Sequence, residues 1–111
     1  MVEIVISKEF EDWFKDIDAI AKKDIFASIE LLKMFGFSLG RPHVDTLKGS
    51  NLKNIKELRV RSLGRPFRII FIFDSKRRAV ILIGGNKAND KKFYEKIIRK
   101  AEQIYQNLFK E

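Results

Sequence analysis

The chain has 111 residues, 45% of them hydrophobic, enough to bury one core, and residues 1–111 read as a single domain. It lacks cysteine and has one histidine, which excludes disulfides, thiolate chemistry and multi-histidine metal sites. The longest apolar runs, 69–73 and 79–83, fall far short of the roughly 20 residues of a membrane span.

Net charge is +8 and is unevenly spread. Residues 1–40 hold five Lys/Arg against eight Asp/Glu, and residues 41–100 hold seventeen against five. Such an excess suits a polyanionic partner, nucleic acid above all, or simply a well-solvated surface. Met1-Val2-Glu3-Ile4 opens without a basic stretch and long apolar leader, so a reducing cytoplasm is the expected compartment.

Val2, Ile4 and Ile6 alternate with Glu3 and Val5 as a short opening strand. Ser7 reads as an N-cap, with Phe10, Trp13, Phe14 and Ile17 at helical spacing behind it. Asp18 caps a second helix whose stripe is Ala21, Ile25, Ile29 and Leu32, and Gly36 stops it. So short a join predicts a helical hairpin. Periodicity then vanishes, and residues 37–51, with Gly40, Pro42, Gly49 and Ser50, read as a loop.

Three strands follow. In 55–61, Leu58 and Val60 point one way, and Glu57, Arg59 and Arg61 the other. In 67–74, Phe67, Ile69, Phe71 and Phe73 share a face opposite Arg68, Ile70 and Ile72, and 79–83 is apolar on both faces. Asn89 or Asp90 is the expected cap of a last helix with Phe93, Ile97, Ala101, Ile104 and Leu108 on one stripe. The order β-α-α-β-β-β-α predicts an α+β domain. An antiparallel sheet core is packed by the N-terminal helical hairpin and the C-terminal helix.

Glu57, Arg59 and Arg61 project from one sheet face, and Arg68 and Lys87 can join them if register allows. Arginines grip a phosphate bidentately and hold the charge that develops on it. A carboxylate or lysine can take the proton of a ribose 2′-hydroxyl, and a nucleophile already beside its phosphate needs no metal. The same residues can equally form a solvated charge ladder. His43 is a lone loop histidine. Gly84-Gly85-Asn86-Lys87 suggests a phosphate-cradling turn but lacks P-loop or dinucleotide spacing. Tyr94 lies near the start of the last helix and can face the cleft.

Several segments resemble the RelE/ParE superfamily of type II toxin–antitoxin toxins, and within it the HigB-like, phage-derived killer-protein branch. They are Arg41-Pro-His-Val-Asp-Thr-Leu-Lys-Gly-Ser50, Ile55-Lys-Glu-Leu-Arg-Val60, Gly64-Arg-Pro-Phe-Arg-Ile-Ile-Phe71, Leu82-Ile-Gly-Gly-Asn-Lys87 and Phe93-Tyr-Glu-Lys-Ile97. The resemblance implies a RelE-like fold and a toxin silenced by a cognate antitoxin. It implies an activity that cuts mRNA on the ribosome, inhibiting translation without metal, cofactor or membrane. It assigns Glu57, Arg59, Arg68 and Lys87 to catalysis. Lys48, Lys53, Lys56, Arg61, Arg65 and Lys91 are then the RNA-binding set. The histidine or tyrosine that several ribosome-dependent relatives carry near the chain end has no counterpart in Lys87-Ala-Asn-Asp90. Gyrase-poisoning ParE members share the fold without the nuclease residues, so a non-nuclease toxin and an inactive nucleic-acid-binding domain are the alternatives.

Overall fold

Ser7 joins the first two elements. Its hydroxyl accepts from the Phe10 amide at 2.9 Å and donates to the Leu82 carbonyl at 2.6 Å. One buried side chain therefore caps α1 (Lys8–Lys15) and ties the end of β1 (Ile4–Ile6) to a strand 75 residues away. Asp18 caps α2 (Ala19–Phe35) by accepting from the Ala21 amide at 3.1 Å. Gly36, at φ +52°, ends that helix in a conformation that glycine adopts without a Cβ penalty. Both caps and the stop agree with the sequence.

The computed structural model describes residues 1–109. Beyond a short 3-10 turn (Gly36–Ser38) come β2 (Val44–Thr46), β3 (Ile55–Ser62), β4 (Arg65–Phe73), β5 (Ala79–Asn86) and α3 (Phe93–Leu108). They form a five-stranded sheet in the order β1-β5-β4-β3-β2. The α+β expectation holds, with three differences. Residues 44–46, read as loop, form an edge strand antiparallel to β3. β1 pairs with β5 in parallel, so the sheet is antiparallel only from β5 to β2. Neither Asn89 nor Asp90 is the N-cap of α3, which starts from Lys92. Asp90 instead closes the preceding turn, accepting from the Lys92 amide at 3.0 Å and pairing with Lys96.

The two sheet faces have separate cores. Leu58, Val60, Phe67, Ile69, Phe71 and Ile81 pack under α1 and α2, with α1 over β5 and α2 over β3. Ile55, Ile70, Ile72, Val80, Leu82 and Ile83 pack under α3. A β-bulge lies between these sets. Ile70 faces Ile83 and Phe71 faces Ile81, so Leu82 is an extra residue in β5. The parity of β5 flips beyond it. Gly84 then lies against Trp13 of α1, and Gly85 lies against Phe93 of α3. These glycines serve close packing of helices on both faces: a Cβ at Gly85 would sit 2.9 Å from the Phe93 ring, and one at Gly84 would overlap the Trp13 ring. No helix among the described residues is long and apolar enough to cross a membrane.

Candidate functional site

β3 and β4 pair with Arg59 directly opposite Arg68. Two like charges in that position repel. Glu57 lies between them and satisfies both. Its Oε2 accepts from Arg59 Nε at 3.1 Å, and its Oε1 stands 3.4 Å from Arg68 Nε. Oε1 also accepts a 2.7 Å hydrogen bond from the Tyr94 hydroxyl, whose oxygen accepts in turn from Arg68 Nε at 3.3 Å. Glu57 is 2% exposed because α3 covers this part of the sheet. The solvated-ladder reading therefore fails for Glu57.

The cluster continues in both directions. Arg59 Nη2 bonds Asp45 of β2 at 3.1 Å, and Arg41 reaches the same carboxylate at 3.2 Å. Hydrogen bonding to Arg41 leads the effects that hold Asp45 below the usual carboxylate range. Hydrogen bonding to Glu57 is the leading effect raising the Arg59 pKa, so that guanidinium stays charged. At the other end Lys87 Nζ sits 5.3 Å from the centre of the Tyr94 ring, a cation–π distance. The β5 bulge is what turns Lys87, one residue past the strand, toward this face. Burial, with the hydrogen bond to Glu57 next, pushes the Tyr94 phenol above its ordinary value.

The four residues assigned to catalysis, Glu57, Arg59, Arg68 and Lys87, thus come together around Tyr94. The Arg59 side chain is 37% exposed, and Lys87 is also part-exposed. Glu57 is closed off with both oxygens engaged. Of the assigned RNA-binding set, Arg61 shares this face at the end of β3 and donates to the Gly64 carbonyl at 3.1 Å. Lys48 flanks a cleft against α3 together with Gly49, Tyr94, Ile98 and Arg99. The loop carrying Lys48 is pinned by Glu102, which accepts from Ser50 Oγ at 2.8 Å and from the Asn51 amide at 2.7 Å. Lys53 and Lys91 are exposed in the loops before β3 and α3.

Lys56 and Arg65 lie elsewhere. Lys56 opposes Phe71, on the α1/α2 side, and donates to Thr46 Oγ1 at 3.0 Å. Arg65 opposes Ser62, also on that side, where it lies over the Phe67 ring at 5.2 Å and forms a forked pair with Asp18. Strand parity places both on the face away from the cluster. His43 is exposed in the turn before β2, and its carbonyl accepts from the Arg59 amide at 2.8 Å.

Tyr94 is the one central residue outside the assigned set. Its spacing from Glu57 carries no local signal, because the contact crosses 37 residues. Among the described residues no group of three or more His, Cys, Asp or Glu could hold a metal ion.

Residues 12–106 match the family model for phage-derived Gp49-like proteins. A Mycobacterium tuberculosis protein named "Putative toxin HigB3" is 39% identical over 105 residues, covering 94% of this chain and 90% of that protein. A second, named "Putative toxin HigB2", is 42% identical over 95 residues, covering 84% of this chain. The chain spans about half of that second relative's length, 47%.

Proposed function

The chain belongs to the family of phage-derived Gp49-like proteins, and from that premise we propose that it is a type II toxin that cleaves messenger RNA on the ribosome. The names of both relatives support the toxin, which implies a cognate antitoxin. The observation that carries the nuclease reading is the set of cations, Arg59, Arg68 and Lys87, gathered around the Glu57–Tyr94 hydrogen bond on one face of the sheet. A gyrase inhibitor has no need for that arrangement.

In this mechanism Arg59 and Arg68 bind the non-bridging oxygens of the scissile phosphate and hold the charge that grows there. The ribose 2′-oxygen attacks phosphorus, and the bond to the 5′-oxygen breaks, leaving a 2′,3′-cyclic phosphate. Lys87, beside the Tyr94 ring, is the residue placed to take the 2′-hydroxyl proton. Tyr94, kept protonated by burial and by Glu57, delivers a proton to the departing 5′-oxygen, and Arg68 beside it stabilises the phenolate. Glu57 is a positioning residue. Its carboxylate is already filled by Arg59, Arg68 and Tyr94, so it orients donors rather than collecting a proton from substrate.

The test is induction of wild type, Arg68→Ala and Tyr94→Phe in a bacterial host without antitoxin, with RNA 5′ ends mapped across translated messages. Wild type should give cuts at a fixed position within codons, and Arg68→Ala should give none. Tyr94→Phe should lose roughly 10²- to 10⁴-fold in rate, the usual worth of a positioned proton donor. Growth arrest with intact messages would overturn the nuclease and leave a toxin with a protein target.

A further inference from the structure

A cleft opens between α3 and the loop that joins β2 to β3, and its lining is chemically mixed. Lys48 and Gly49 form one wall, and Tyr94, Ile98 and Arg99 form the other, around a volume of about 420 Å³, the size of a small-ligand site. The loop wall is fixed before any ligand arrives. The Leu47 amide donates to the Ile55 carbonyl at 3.0 Å, Leu47 and Leu52 pack into the α3-side core, and Glu102 holds Ser50 and Asn51. Tyr94 belongs both to this cleft and to the Glu57 cluster, so whatever enters lies beside the phosphate that Arg59 and Arg68 would hold.

The cleft also carries Glu95. The helix dipole favours a carboxylate in the first turn of α3, but that does not account for its neighbours. Arg99 stands one turn further along, at the spacing of an i, i+4 ion pair, and Lys48 stands across the cleft. Among the described residues none of the three makes an ion pair. Beside a phosphate backbone an ionised carboxylate is repelled. It serves there only against hydrogen-bond donors, since it can only accept. In single-stranded RNA those donors lie on the free edges of the bases. Guanine alone has two adjacent donors, N1–H and the N2 amino group, to fill both carboxylate oxygens, and it has two acceptors, O6 and N7, for a lysine or arginine. Adenine and cytosine set one amino donor beside a ring-nitrogen lone pair, and uracil sets one N–H between two carbonyls.

We propose that this cleft reads a guanine base, with Glu95 accepting from N1 and N2 and with Lys48 and Arg99 donating to O6 and N7. Which side of the cut that base occupies rests on the nuclease reading above; the choice of base does not. In that mechanism Tyr94 protonates the departing 5′-oxygen, and Tyr94 lines the cleft. The base held there belongs to the nucleotide downstream of the broken bond, so new RNA 5′ ends begin with guanosine.

Two arms separate the cleft from the reaction. In the first, isotope-labelled chain is titrated with guanosine 5′-monophosphate and, separately, with adenosine 5′-monophosphate. Saturable amide shifts should appear at Gly49, Glu95 and Arg99 with the guanine nucleotide, and the adenine nucleotide should bind about fivefold or more weakly. Glu95→Gln should bring the two affinities together, because its amide keeps one acceptor and adds donors. Lys48→Ala, a second exposed position, should weaken guanine binding about threefold or more. Equal affinities in wild type, or no shift in the cleft, overturn the proposal. In the second arm, RNA 5′ ends left by wild type and by Glu95→Gln in the host without antitoxin are compared by their first nucleotide. In wild type, ends beginning with guanosine should outnumber those beginning with adenosine by about fivefold or more, and in Glu95→Gln that ratio should fall. The ratio is taken within each sample, so a change in overall rate does not enter it. Cut messages without the guanosine excess, or an excess that persists in Glu95→Gln, overturn the guanine site and leave the nuclease. Guanine binding as described with intact messages overturns the nuclease and leaves the site.

Discussion

Glu57 illustrates how much of a site rests on one residue. It stands between two directly opposed arginines, and every lone-pair direction in use is filled from Arg59, Arg68 or Tyr94. Replacing it with glutamine keeps the shape and removes the charge at a buried position, leaving Arg59 and the largely buried Arg68 to repel each other across the strands. Breaking a buried pair from one side is costly, so Glu57→Gln should destabilise the fold by about 3 kcal/mol, read as a lowered chemical-denaturation midpoint with unchanged slope. Arg61→Ala, at the exposed end of the same strand, should leave that midpoint unmoved. The sequence placed Glu57, Arg59 and Arg61 on one face through simple alternation. It could not show that α3 would close over Glu57, because that depends on packing between segments 37 residues apart. Near the start of the last helix Tyr94 can face the cleft, but its contact with Glu57 was not legible for the same reason.

At the level of the elements, local chemistry was legible and register was not. Ser7, Asp18 and Gly36 announce their roles because caps and stops act within one helical turn. β2 gives no such signal. It is three residues long, includes Asp45, and forms only because β3 offers it an edge. The bulge at Leu82 is likewise invisible in a uniformly apolar run, yet it decides where the following residues point. Gly84 must be a glycine because the Trp13 ring fills the place of its side chain. Gly84→Ala should therefore cost about 2 kcal/mol, in the range of overpacked cores. Gly40→Ala, with nothing within 4 Å of an added Cβ, should leave the thermal midpoint unchanged. A Gly84→Ala, Trp13→Leu double variant that recovers part of the loss would identify the indole as the obstacle.

Across the whole molecule, the two sheet faces divide the work. The cluster of Arg59, Arg68 and Lys87 lies on the α3 side, and Lys56 and Arg65 lie on the other, with Arg65 committed to Asp18. Single-stranded RNA held on the α3 side should therefore distinguish charges that composition counts alike. Arg61→Ala should lower the salt-dependence slope of RNA binding by about 0.7, measured by fluorescence anisotropy, and Arg65→Ala should not change it. The basic total was legible from the chain; its division between faces needed strand parity beyond the Gly64 turn. The parallel pairing of β1 with β5 also sets an order of events during synthesis. β3, β4 and β5 are hairpin neighbours and can pair as soon as they leave the ribosome, whereas β1 emerges first and must wait for the partner that Ser7 meets 75 residues later. Closing so long a loop is slow. Until it closes, β1 and α1, which both pack on β5, are a tether without a dock, and the nascent chain holds its arginine-bearing hairpin before its own N-terminus has come home.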